Sequence, residues 1–142
     1  MYIDKQGLID RGWEKRLVQL TDKTHTPQTT IDDTIVARHI TDAESTIDSY
    51  LGKQYTLPLT IVPPVLAKVA ADLAIYFLHG MAIGKDDPIA IAYRDGIAWL
   101  DKVSKGTVAL DDAGTVPAQS GGGQILTVGP DRLFTRDRLG GL

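Results

Sequence analysis

The stretch TIDDTIVARHITDAESTIDSYLG, residues 30–52, decides the fold class. Thr30 followed by Asp33 has the capping-box form. A hydroxyl stands at the N-cap, and a carboxylate three residues on faces the free backbone N–H groups of a helix start. Val36, Ile40, Ala43, Ile47 and Tyr50 then recur at steps of 4, 3, 4 and 3, one apolar stripe down a helix. Gly52 is expected to close it in the left-handed conformation. At 1.5 Å rise per residue, residues 30–51 make a rod of about 33 Å, long beside a chain of 142 residues.

The flanking sequence repeats the pattern. Upstream, Asp4 is the expected N-cap of a helix over Asp4–Leu20, with Leu8, Trp13, Leu17 and Leu20 at helical intervals. Gly7 and Gly12 weaken that helix, each by about 1 kcal/mol relative to Ala. Thr21–Thr30, with Pro27 and many threonines, reads as a loop. Downstream, Lys53–Pro64 is extended, because its prolines remove backbone donors and push preceding residues away from helix. Pro64 suits the first turn of a third helix running to His79 and closed by Gly80. Leu66, Val69, Ala70, Leu73, Tyr76 and Phe77 give it a broad apolar face. Ala71, Ala74, Ile75 and Leu78 leave little polar surface, so a central position is expected. Asp86-Asp87-Pro88 opens a fourth helix, with Ile89, Ala92, Tyr93, Ile97, Leu100 and Val103 facing inward and Lys102, Lys105 and Gly106 at its end.

Composition shifts at that point. Residues 111–142 hold 7 of the 14 glycines, whereas 12 of the 15 basic and 14 of the 18 acidic residues precede residue 107. Two regions are therefore expected, a helical domain over 1–106 and a Gly-rich extended arm over 107–142. Short β-strands are expected in the arm at 107–110, 124–128 and 133–136. The expected fold is mainly α: a four-helix domain with an extended proline-rich segment and a C-terminal arm carrying short strands.

Several function classes are disfavoured. With no cysteine there is no disulfide framework, thiolate metal site or Cys nucleophile. A net charge of −3 argues against generic attraction to DNA or to an anionic membrane. No run of 18 apolar residues occurs, and the start lacks the basic-then-apolar layout of a secretion signal, so a soluble domain made inside the cell is expected. His39 and Asp42 have a spacing that could share a metal, but two ligands do not make a site and a solvated helix face is the expected role. His79 reads as a helix C-terminal cap. Asp32-Asp33 and Asp86-Asp87 read as N-terminal caps, not acid/base dyads. Serine-elbow, Walker and zincin motifs are missing, and Gly121-Gly122-Gly123 is a spacer. No catalytic, cofactor or metal residue is nominated. Trp13 and Trp99 are expected as core or rim anchors of the kind used at protein interfaces.

The arm carries the positive signal. Arg132, Leu133, Phe134, Thr135, Arg136 and Arg138 form a short β-prone cluster in which Phe134 and Arg136 share one face. An isolated strand pays ordering entropy without a core of its own, so it is stable when paired with another chain. Asp131 and Asp137 dilute its charge for binding nucleic acid, and the proline-rich connector is too long for a helix-turn-helix.

Specific blocks then carry a resemblance. They are Gly-Leu-Ile-Asp-Arg to Leu-Val-Gln-Leu-Thr-Asp (7–22), Ile-Asp-Ser-Tyr-Leu-Gly-Lys-Gln-Tyr-Thr-Leu-Pro-Leu (47–59) and Val-Pro-Pro-Val-Leu (62–66). Ala-Asp-Leu-Ala-Ile-Tyr-Phe-Leu (71–78), Ala-Tyr-Arg-Asp-Gly-Ile-Ala-Trp-Leu (92–100) and Arg-Leu-Phe-Thr-Arg-Asp (132–137) complete the series. Nearly end to end, the chain resembles the neck, or head–tail connector, proteins of Mu-like phages and prophages. It departs from them at Gln54, where they usually carry Arg, and at Trp13, often Gly.

The resemblance implies an adaptor docking under the portal as a ring of twelve copies and extending the DNA channel towards the tail. Its implied partners are further copies of itself, the portal, the next neck or tail protein, and packaged DNA passing without sequence specificity. It implies a place in the virion neck, no membrane and no cofactor. On this reading Arg132, Leu133, Phe134, Thr135, Arg136 and Arg138 contact the portal. A head-completion or tail-terminator protein is the alternative. A small DNA-binding regulator is disfavoured by the acidic balance, and an enzyme ranks last.

Overall fold

In a computed structural model, which describes residues 1–80 and 83–110, three of the helices begin at an aspartate whose side chain caps them. α1 (Lys5–Leu8) starts at Asp4, whose carboxylate accepts a hydrogen bond from Gly7 N at 2.7 Å. The single helix expected over Asp4–Leu20 is bent. A kink spans Ile9–Trp13, with Gly12 at φ 86°, before α2 (Glu14–Thr21) resumes. An L side chain at that φ would cost about 1–2 kcal/mol, so Gly12 is the pivot and not merely a weak point. Leu8 and Leu17, on either side, are fully buried.

α3 (Asp33–Leu51) corrects the expected cap. Asp32, not Thr30, is the N-cap, accepting from Thr34 N at 2.9 Å and Ile35 N at 3.1 Å. Val36, Ile40, Ala43, Ile47 and Leu51 form the buried stripe, and Tyr50 is half-buried. Gly52 has φ −58°, a right-handed conformation, so the left-handed stop is absent. The turn closes through Gly52 N to Asp48 O at 2.9 Å and Tyr55 N to Leu51 O at 2.8 Å. Residues 53–63 contain no helix, as expected, and lay Tyr55, Leu57, Leu59 and Val62 against the core. Tyr2 and Ile3, ahead of the first cap, are also buried. Tyr2 N donates to Glu44 Oε1 at 2.6 Å and its hydroxyl donates to Asp48; burial, reinforced by Asp48, pushes the phenol pKa up.

α4 (Pro64–His79) has the expected bounds, with proline in its first turn and Gly80 at φ 59° past its end. It buries Leu66, Val69, Ala70, Ala71, Leu73, Ala74 and Ile75 and packs on α2, α3 and the last helix, α5 (Pro88–Ser104). α4 is the central helix. Asp87 caps α5, accepting from Ile89 N at 2.8 Å. The inward face expected for α5 holds, with Ile89, Tyr93 and Ile97 packed on the core beside Leu100 and Val103, and Ala90 and Gly96 join it. Ala90, Gly96, Leu100 and Val103 are buried, and Ile89, Ala92, Tyr93 and Ile97 are half-buried. Gly96 is where α5 packs tightly on α4, since a Cβ there would lie 3.3 Å from both Val69 Cγ1 and Leu73 Cδ1. The two helices make their closest approach at a residue with no side chain. Beside it, Tyr93 stacks on Tyr76 at 4.0 Å, with Phe77 edge-on at 5.9 Å.

The strand expected at 107–110 does not form. Gly106, at φ 72°, donates to Val103 O at 2.9 Å and Thr107 N donates to Lys102 O at 2.9 Å, a Schellman closure of α5. Gln54 adds a bond from Nε2 to Ser104 O at 3.2 Å, and the buried Leu110 donates its N–H to Tyr55 Oη at 2.8 Å. The strands expected at 124–128 and 133–136, with the rest of 111–142, lie outside the described residues.

Replacing Gly96 by Leu should therefore force α4 and α5 apart and lower stability by about 1–3 kcal/mol. Urea denaturation followed by circular dichroism measures this, and an unchanged midpoint would contradict the close approach.

Candidate functional site

Two arrangements of side chains stand out, one closed and one open. The closed one is built on Asp22, only 5% exposed. Its Oδ1 accepts from Thr24 N at 3.0 Å, His25 N at 3.1 Å and Thr24 Oγ1 at 3.1 Å. Its Oδ2 accepts from Thr29 N at 3.0 Å, Thr30 N at 3.1 Å and Thr30 Oγ1 at 3.2 Å, with His25 Nδ1 at 3.0 Å. The Thr29 N–H is foremost among the donors that hold this carboxyl far below the usual carboxylate range, against the opposing effect of burial. The neighbouring Thr21 hydroxyl donates to Leu17 O at 2.8 Å and accepts from Asp32 N at 2.9 Å. With its lone pairs committed, Asp22 is a brace carrying the chain from α2 into α3. It has no capacity left for a substrate proton or a metal.

The other candidates from the sequence take capping or pairing roles. Asp32 and Asp87 cap their helices, and Asp33 pairs with Lys5 at 2.8 Å. His39 Nδ1 lies 3.5 Å from Asp42 Oδ2, and His79 Nδ1 lies 2.8 Å from Ile75 O in the last turn of α4. Among the described residues no three His, Asp or Glu side chains gather to hold a metal ion. Among them, too, no helix is long and apolar enough to cross a membrane.

The open arrangement is a groove of about 550 Å³ where α4 and α5 run antiparallel. Val65, Val69, Ile91, Ala92, Gly96 and Trp99 line its apolar part; Lys68, Asp72 and Asp95 are its charged lining. Val65 is 39% and Ile91 41% exposed, although both are large and apolar. Lys68 Nζ is committed to Asp72 Oδ2 at 2.7 Å. A smaller recess of about 160 Å³ shares Asp72, Pro88 and Ala92 with the groove and reaches Trp13. Both tryptophans, expected as core or rim anchors, are half-buried, pack against the core and flank one face. Half-buried aromatics around an apolar floor with polar edges are the makings of a protein-binding surface.

Arg132, Leu133, Phe134, Thr135, Arg136 and Arg138, the binding residues expected from the sequence, lie outside the described residues. Asp22 and the groove were missed. A signal for Asp22 existed in the threonines at +2, +7 and +8, the local acceptor–donor pattern of Asx turns. A signal for the groove existed in Val65, Ile91 and Trp99, apolar residues off the inward stripes.

Residues 2–127 match the family described as Bacteriophage Mu, Gp36. The chain is 36% identical over 125 residues to the Mu-like prophage FluMu protein gp36 of Haemophilus influenzae, covering 85% of each. It is 29% identical over 110 residues to Gene product J of Escherichia phage Mu, covering 77% of each.

The two arrangements respond differently to mutation. Because folding lowers the Asp22 pKa, the stabilisation it confers is complete above the ordinary carboxylate value near 4 and is lost as pH falls below it. Asp22→Asn should lower stability at neutral pH and lose less on acidification from about pH 5 to pH 2 than the parent. Parallel thermal-melt profiles for the two proteins would contradict this. By contrast, Val65→Ser or Ile91→Ser should cost less than a core truncation, since Val65 is 39% and Ile91 41% exposed whereas Leu73 is fully buried. Leu73→Ala should cost about 2–5 kcal/mol. A groove variant as damaging as Leu73→Ala would assign that face to the core.

Proposed function

This chain belongs to the Bacteriophage Mu Gp36 family, and from that premise we propose that it is a structural head–tail connector of a tailed-phage neck. In this reading it docks as a ring under the portal and extends the DNA channel towards the tail. The observation that carries the reading is the α4–α5 face, where exposed Val65 and Ile91 lie beside Trp99 on a helical frame closed by its own caps. Such a face has the chemistry of a docking surface, and a body braced from within by Asp22 and capped helices suits a component that bears load between neighbours.

A ring built from one repeated head-to-tail contact needs two different faces on each copy. The α4–α5 face supplies one. The arm supplies the contact to the portal, with Arg132, Phe134 and Arg136 as anchors and Leu133, Thr135 and Arg138 beside them. The net charge of −3 suits a channel that must let DNA go, because dense positive charge would hold the phosphates. The protein then acts by geometry and not by catalysis, and its place is the virion neck.

Mass photometry of the purified protein mixed with portal should show a discrete stoichiometric complex. Deleting residues 130–142 should abolish it while leaving the helical circular-dichroism signal intact. No complex with the full chain would overturn the adaptor reading, and full attachment by the truncated chain would overturn the arm's role.

A further inference from the structure

We propose that the α4–α5 groove is the seat of residues 124–128 from a second copy of this chain, so that each copy clasps the next. The inference rests on the ring reading above. The run Gln124-Ile125-Leu126-Thr127-Val128 is uncharged and carries three aliphatic residues in five. In an extended chain Leu126 and Val128 share one face, about 7 Å apart. From Ile91 to Trp99, eight residues along α5, the groove is about 12 Å long, enough for two such side chains.

Charge selects this run over its neighbour. Lys68 is neutralised by Asp72, which leaves Asp95 as the carboxylate of the groove without an ion pair among the described residues. Residues 131–138 carry three arginines and two aspartates, five charges to strip of water, whereas the neutral run brings none and the exposed Asp95 stays hydrated at the rim.

Chain length permits the exchange. The described chain ends at Leu110, held on Tyr55 just past the end of α5. Residues 111–123, with glycine at 114 and 121–123, span at most about 45 Å when extended. A helical body of this size is roughly 35 Å across, so the groove of an adjoining copy is within reach. A donor segment and an acceptor groove on every copy are the two unlike features that a closed ring of repeated contacts requires.

The chain has no cysteine, so introduced ones report a single contact. Full-length Ile91→Cys and full-length Val128→Cys, mixed with portal and gently oxidised, should give a disulfide-linked heterodimer on a non-reducing gel. The double variant should give a ladder of multimers. Pairing Ser49→Cys, exposed on α3, with Val128→Cys should give no product. Closure of the double variant into an internally bridged monomer, equal yield from the Ser49 control, or no Ile91–Val128 product would each overturn the proposal. Mass photometry of the same mixtures separates it from the adaptor reading. A portal complex without the cross-link sinks the clasp alone, and a ladder without a portal complex sinks the adaptor alone.

Discussion

A helix as apolar as α4 has almost no face it can leave in water, and the rest of the body is arranged by that constraint. Its seven buried side chains need cover from several directions, which α2, α3, α5 and the segment before it provide. Burying each large aliphatic group is worth about 1.5–3 kcal/mol, so no alternative packing that exposes α4 competes. Among the described residues a gap in that cover runs from Val65 to Asp72, beside the tight packing of α5 at Gly96. Core and open groove are thus two sides of one helix pair.

The brace at Asp22 solves the complementary problem. The turn from α2 to α3 passes through a run of polar residues whose backbone N–H groups would otherwise be left without partners in a partly buried place. One carboxylate gathers four of those N–H groups together with the hydroxyls of Thr24 and Thr30. It also explains why Thr30 does not cap α3. Thr30 is already engaged by Asp22, and Asp32 stands where its own side chain reaches Thr34 and Ile35.

The helices, their caps at Asp4 and Asp87, the proline-rich interruption and the central rank of α4 were legible in the residues, because apolar periodicity and cap chemistry are local. Gly12 and Gly96 show where local reading fails. Each glycine looks like a weakness along the chain, yet one is a pivot and the other a contact point, and only the neighbours reveal which. The strand expected at 107–110 fell to the same limit, since β-prone residues there close α5 and anchor on Tyr55, 55 positions upstream. The groove is a gap between two helices, so its only trace in the chain was indirect, the apolar Val65, Ile91 and Trp99 standing off the inward stripes. The resemblance to a Mu-like phage family, by contrast, rested on ordered blocks of residues, and the family match over residues 2–127 takes in all of them but the last, at 132–137.

A coupling piece of a phage neck would have its α4–α5 face covered by another polypeptide inside the particle. Electron cryomicroscopy of intact virions at a resolution that traces helices tests this most directly. The prediction is a ring of copies between portal and tail, with Trp99 and Ile91 covered by protein. Particles that lack the chain, or a neck in which that groove faces open solvent, would contradict it.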